Sequence, residues 1–138
     1  MKMTNRQIID AIAKYNIFQE KKLPQKISFA IMRNYSKLNA EYKFYEGQLT
    51  KLFNDYKDKF KKDEDGNVQT YPNGIPMIDD EFAGDFAGEL EDLLNAEIEV
   101  NISYVPIDAL DYEDNGKYDI LTVNELSTLS SILCETID

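Results

Sequence analysis

Carboxylates are the only reactive groups that this chain carries in quantity. Their spacing comes closest to a chemical pattern in Asp111-Tyr112-Glu113-Asp114-Asn115-Gly116-Lys117-Tyr118-Asp119, an acidic loop with Gly at its sixth place, as in a Ca²⁺-binding EF-hand loop. The match is incomplete. Its third place is Glu113, and its twelfth is Thr122, where a bidentate Glu is wanted. Thr122 is also placed to cap a following helix, so an acidic turn is favoured over a Ca²⁺ site, with weak Ca²⁺ binding left open. Further carboxylates gather at Asp79, Asp80, Glu81, Asp85, Glu89, Glu91 and Asp92. General acid–base work needs two carboxyls held in contrasting environments, and with 26 Asp and Glu residues such clusters arise without chemistry. A solvated acidic surface built from Asp79, Asp80, Glu81, Asp85, Glu89 and Asp92 is expected instead.

Other chemistries are short of parts. The chain has no His, which removes the commonest general base, proton shuttle and transition-metal ligand together. A single Cys, Cys134, forms no internal disulfide and cannot build a structural zinc site without His; it reads as a small core residue. No phosphate-cradling Gly loop or serine-nucleophile elbow occurs. The expectation is a protein that is not an enzyme, with no metal and no cofactor.

Charge is distributed very unevenly. Residues 1–62 hold fourteen Lys and Arg against six Asp and Glu, a balance of +8, whereas residues 63–138 hold one against twenty, a balance of −19. Such asymmetry bears on association more than on fold. The basic run Lys51, Lys57, Lys59, Lys61 and Lys62, with Tyr56 and Phe60, could face phosphates. The overall charge of −11 disfavours direct nucleic-acid binding, and lysines late in a helix also suit its dipole. Neither a signal-peptide core nor an apolar run of membrane-spanning length is present, so a cytosolic, non-membrane protein is expected.

The elements that must position these residues are mostly helical. Thr4 and Gln7 form a capping box, with Met3 placed to staple onto Ile8, and open a helix near Asn5 whose stripe is Ile8, Ile9, Ile12, Tyr15 and Phe18. It should end between Gln19 and Lys22, ahead of Pro24. Ile31, Tyr35, Leu38, Tyr42, Tyr45, Leu49, Leu52 and Tyr56 then form a heptad seam on one long helix, from Gln25 or Ser28 to about Lys61. The short Leu23-Pro24 connection makes the two helices a hairpin. Residues 63–78, dense in Gly, Pro, Asn and Asp, read as an irregular connection or small hairpin.

Asp79 or Asp80 caps a third helix with the apolar face Phe82, Phe86, Leu90, Leu93 and Leu94, in which Ala83, Gly84, Ala87 and Gly88 would admit a close helix neighbour. Glu97 to Tyr104 alternates as a half-buried strand, with Tyr118–Leu121, the 68–71 segment or another molecule as its partner. Thr122 and Glu125 open a last short helix carrying Leu126, Leu129, Leu133 and Ile137. The fold class is therefore α+β and mostly helical. It is expected as a single domain, 1–138, comprising a basic helical hairpin (1–62), the connection (63–78) and an acidic half (79–138) with two shorter helices and a small β element. The acidic half is expected to fold back along the basic hairpin.

Asn5-Arg6-Gln7-Ile8-Ile9, Lys22 through Ile31, Glu89 through Ile102 and Leu121-Thr122-Val123-Asn124-Glu125-Leu126, in this order, resemble a small family of unknown function encoded by phages and prophages of Gram-positive bacteria. The resemblance implies a phage origin and no catalytic residue. The leading expectation is a non-enzymatic phage or prophage accessory protein that binds a host or phage protein, an assembly or host-interaction factor, through the seam residues Tyr42, Tyr45, Leu49, Leu52 and Tyr56; homo-oligomerisation is possible. The second is a counter-defence inhibitor, of anti-CRISPR or anti-restriction type, whose acidic surface imitates nucleic-acid phosphates. The third is a carboxylate metal-binding enzyme.

Overall fold

The structure is a computed structural model that describes residues 1–135; Ile137, assigned above to the last helix, lies outside the described residues. Along the chain run β1 (Lys2–Thr4), α1 (Asn5–Asn16), α2 (Gln25–Asp55), a 3-10 turn at Lys57–Lys59, α3 (Asp80–Asn95), β2 (Glu97–Glu99), a second 3-10 turn at Ile107–Leu110 and α4 (Val123–Leu133). This is a mostly helical α+β protein with a two-stranded sheet. Both capping boxes form. Thr4 Oγ1 accepts from Gln7 N–H while Gln7 Oε1 accepts from Thr4 N–H, and Thr122 and Glu125 repeat the exchange at the start of α4. Two otherwise orphaned donors are satisfied at each helix start, which sets where α1 and α4 begin.

Two compact units divide the chain: residues 1–42 with 97–138, and Lys43–Ala96. The boundary follows contacts and not charge, since α2 itself crosses from one unit to the other. In the first unit the core gathers Met3, Ile8, Tyr15, Ile27, Leu38, Leu129 and Leu133, with Cys134 beside them. Full burial of each aliphatic side chain contributes about 1.5–3 kcal/mol. The capping staple is real, because Met3 and Ile8 are both buried in this cluster.

The partner of the 97–104 segment is none of the three candidates. Lys2–Thr4 pairs antiparallel with Glu97–Glu99, in the register Lys2 to Glu99 and Thr4 to Glu97, and Val100 N–H donates to Met1 C=O. The strand is shorter than its alternation, which holds through Ile102 and then breaks: Val100 is buried and Ile98 and Ile102 pack on the core, but Tyr104 is exposed and Val105 is buried in its place. The pairing lies within the chain, and the charged ammonium of Met1 meets Glu99 at 2.7 Å.

The second unit is built on the end of α2, the connection and α3. Tyr56, Ile78 and Phe86 are its buried centre, with Leu52, Phe53, Phe60, Phe82 and Leu90 packed around them. α2 stops at Asp55 and not near Lys61, because the chain from Phe60 enters a different hydrogen-bonding scheme. Lys61 N–H donates to Met77 C=O, Met77 N–H to Gln69 C=O and Gln69 N–H to Lys61 C=O, each at 2.8 Å. Three short extended segments, bridged at Phe60–Ile78, Lys62–Val68 and Thr70–Pro76, thus close a ring. Gly66 and Gly74 turn its two tips at φ of +83° and +85°, where a side chain would be strained. Gly84 and Gly88 in α3 have nothing within 4 Å of where a Cβ would stand, so no close helix neighbour uses them.

In each unit, acidic-half residues pack on basic-half residues. Within the first, Lys21 pairs with Glu125 at 2.7 Å, Lys22 N–H donates to the Asp119 carboxylate, and Lys37 Nζ donates to Asn101 C=O. Within the second, Lys61 pairs with Asp80 at 2.7 Å. The charge split is used first inside the chain.

Candidate interaction surface

The heptad seam is an internal feature. Ile31, Leu38, Tyr45 and Tyr56 are buried and Tyr35, Tyr42, Leu49 and Leu52 are half-buried. Tyr42 packs on the first unit's core, and Leu52 and Tyr56 belong to that of the second. Of the residues expected to dock a partner, Tyr45 and Tyr56 are buried and Tyr42, Leu49 and Leu52 half-buried, which reduces the apolar surface that this stripe offers. On α2 the strongly exposed large apolar side chains are Phe29, Met32 and Phe44, all off the seam.

The acidic residues singled out from sequence stand where a solvated face would put them. Asp79, Asp80, Glu81, Asp85, Glu89 and Asp92 are all exposed, and Glu81, Asp85 and Glu89 follow one ridge of α3 at four-residue spacing. Two of the six are engaged locally: Asp80 with Lys61, which holds its carboxyl below the usual range, and Glu89 with the Tyr56 hydroxyl. Of the basic run, Lys59 lies 4.4 Å from the centre of the Phe82 ring and 5.2 Å from that of Tyr56, a cation–π arrangement, while Lys61 holds Asp80. Both are committed within the unit.

The 111–119 loop is organised for packing. Asp119 receives the backbone of Lys22, Tyr112 Oη donates to Asp119 C=O, Asn115 Oδ1 accepts from Lys117 N–H, and Gly116 takes φ of +80°. Thr122, the twelfth place, is the α4 cap. Among the described residues, no group of three or more Asp, Glu or Cys side chains is gathered as a metal would require. Cys134 is a buried core residue whose thiol is pushed up by desolvation.

Beneath this surface lies a buried polar network. Asn34, fully buried, donates from Nδ2 to Tyr15 Oη (3.1 Å) and Ser103 C=O (2.8 Å), and its Oδ1 accepts from Ser103 N–H (2.7 Å). Tyr15 Oη in turn donates to Ile132 C=O at 2.6 Å. Burial pushes the Tyr15 phenol from 10 up to about 12, and Tyr56 reaches about 12 chiefly through its hydrogen bond to Glu89. A folded-state value above the unfolded one stabilises the protein below pH 10 and withdraws that stability as pH rises toward 12. Ultraviolet titration should therefore show Tyr15 and Tyr56 ionising above pH 10, with alkaline unfolding in that window. Ionisation of every tyrosine near pH 10 without loss of helical circular dichroism would contradict it.

A further exposed apolar surface lies in the first unit, between α4 and the Ile107–Leu110 turn. Ile107, Ile120 and Val123 are 63%, 72% and 83% exposed. Three open cavities adjoin there. One of about 740 Å³ lies between Tyr104–Ile107 and the end of α4, another of about 500 Å³ between the 3-10 turn and the start of α4, and a third of about 170 Å³ reaches Tyr112 and Tyr118. The first two share Ile107 and Ser130, and the last two share Leu110, Asp111 and Leu126, so together they make one trough. All of its charged lining residues are carboxylates: Asp111, Asp114 and Glu135. Sequence reasoning missed this surface. Its clearest signal was Val123, an apolar residue at the first position of α4 that carries the Leu126, Leu129 and Leu133 spacing to the exposed start of the helix.

No family model matches the chain, and no curated protein or solved structure is detectably similar to it.

Proposed function

We propose that the protein is a non-enzymatic phage or prophage accessory protein that acts by binding another protein, as an assembly or host-interaction factor. The observation that supports this is the trough: Ile107 on the 3-10 turn, Ile120 before α4 and Val123 at its start present their apolar side chains to solvent. Contiguous exposed apolar surface of this kind is characteristic of protein-binding sites. The phage origin rests on the resemblance of Asn5–Ile9, Lys22–Ile31, Glu89–Ile102 and Leu121–Leu126, which are packing and capping patterns. No catalytic residue enters this function.

A counter-defence inhibitor that imitates nucleic-acid phosphates is the second possibility, and the exposed ridge Glu81, Asp85 and Glu89 on α3 speaks for it. The engagement of Asp80 and Glu89 by the chain's own side chains speaks against it.

The two separate in an affinity capture from phage-infected host lysate with three baits. Wild type and the pair Glu81→Gln with Asp85→Asn should retain the same protein, and the pair Ile107→Asp with Val123→Asp should lose it. Retention by the trough variant and loss by the α3 variant would reverse the ranking, and light scattering on the purified chain reports any homo-oligomer.

A further inference from the structure

Resting on the protein-binding function proposed above, we infer that the trough takes a basic, amphipathic helical segment of the partner. Three features of the trough select that chemistry. Its floor is apolar, from Ile107 and Leu110 on one side to Val123 and Leu126 on the other. Its charged residues, Asp111, Asp114 and Glu135, are carboxylates, with exposed Asp108 on the same 3-10 turn, and no Lys or Arg lines it. Of residues 97–135 only Lys117 is cationic, and Lys21, which reaches α4 from the basic half, is engaged there by Glu125. An acidic segment is repelled there, while Lys or Arg flanking an apolar stripe meets opposite charge at both edges.

The helical form follows from hydrogen bonding. The trough is bordered by α4, a 3-10 turn and loop segments, and the nearer strand, β2, ends at Glu99. No described strand edge is offered there, which disfavours strand addition, whereas an α-helix satisfies its own backbone and lays an apolar face into a groove. α4 has 11 residues, about 16 Å, which suits roughly three turns of a partner with apolar anchors at i, i+3 or i+4, and i+7.

The test uses the full chain and three fluorescein-labelled amphipathic peptides of about 15 residues, identical in Leu pattern but carrying Lys, Gln or Glu on the polar face, with binding read by anisotropy. The Leu/Lys peptide should bind most tightly. Ile107→Asp with Val123→Asp should weaken it by about tenfold or more even though this variant is the more negative protein. A matched pair on exposed residues of the same unit that do not line the trough, Phe29→Asp with Met32→Asp, adds the same charge and should leave affinity unreduced. Val123 is the first residue of α4, where a carboxylate suits the helix dipole, and circular dichroism verifies that each variant is folded. Unreduced affinity in the trough variant, or equal loss in both variants, overturns the inference. Tighter trough-dependent binding of the Leu/Gln or Leu/Glu peptide overturns the basic partner alone and leaves protein binding standing. Failure of all three peptides, together with no trough-dependent capture from lysate, overturns both.

Discussion

Replacing Asn34 by Leu should cost about 2–4 kcal/mol, because it removes the side-chain partners of two part-buried backbone groups of Ser103. Asn34 is fully buried on α2, and its amide satisfies both the N–H and the C=O of Ser103, 69 residues away, while also donating to Tyr15 Oη. Leu has nearly the right size and no polar atom. The Ser103 N–H and C=O would each lose a partner at roughly 1–3 kcal/mol, whereas Tyr15 keeps its bond to Ile132. Chemical denaturation should show a lower midpoint with little change in slope. A loss under about 1 kcal/mol would mean that the network is replaceable by solvent. The effect also bears on function. Ser103 leads directly into Tyr104–Ile107, one wall of the trough, so Asn34→Leu should weaken peptide binding although Asn34 does not line the trough.

Phe86→Ala should cost a further large amount, about 3–5 kcal/mol, but in the other unit. Phe86 is buried at the centre of the Lys43–Ala96 unit, its ring stacked on Phe53 with centroids 6.0 Å apart and meeting Tyr56 edge-on at 5.3 Å. Its removal leaves a cavity between α3 and the end of α2, in a unit too small to hold a large reserve of buried area. Hydrogen exchange should accelerate across residues 43–96 and much less in the α1, β2 and α4 segments, with Leu/Lys peptide binding retained. Uniform acceleration through the whole chain would show that the two units do not open separately.

Where the chain's elements begin was legible wherever the controlling bonds are local. Thr4 with Gln7 and Thr122 with Glu125 place two helix starts to the residue, since the partners are three positions apart. The seam on α2 was legible from its 4-3 spacing, as was the α3 face around Phe86. What it meant was not legible. Periodicity says that a face is apolar without saying what covers it, so Tyr42, Tyr45, Leu49, Leu52 and Tyr56 read as a docking stripe, whereas Tyr42, Leu52 and Tyr56 pack with the chain's own cores. The end of α2 was missed for a related reason: helix propensity runs on through Lys57–Lys61, and only the ring of Lys61, Gln69 and Met77, closed over a 16-residue span, draws the chain out of the helix.

By itself, then, the sequence determined what depends on neighbours along the chain: a mostly helical α+β fold, its capping boxes, the 4-3 spacing of the α2 seam, a turn-rich middle and a charge split between its halves. Only the tertiary structure decided that β2 pairs with Lys2–Thr4, that Asn34 ties α2 to Ser103, and that Ile107, Ile120 and Val123 are left outside the core to form an acid-lined trough. The reason is physical. Local hydrogen bonds need little loop closure and so show in short windows, whereas a pairing between residues about a hundred positions apart, or the apolar side chain left over when a core is full, depends on everything else that packs.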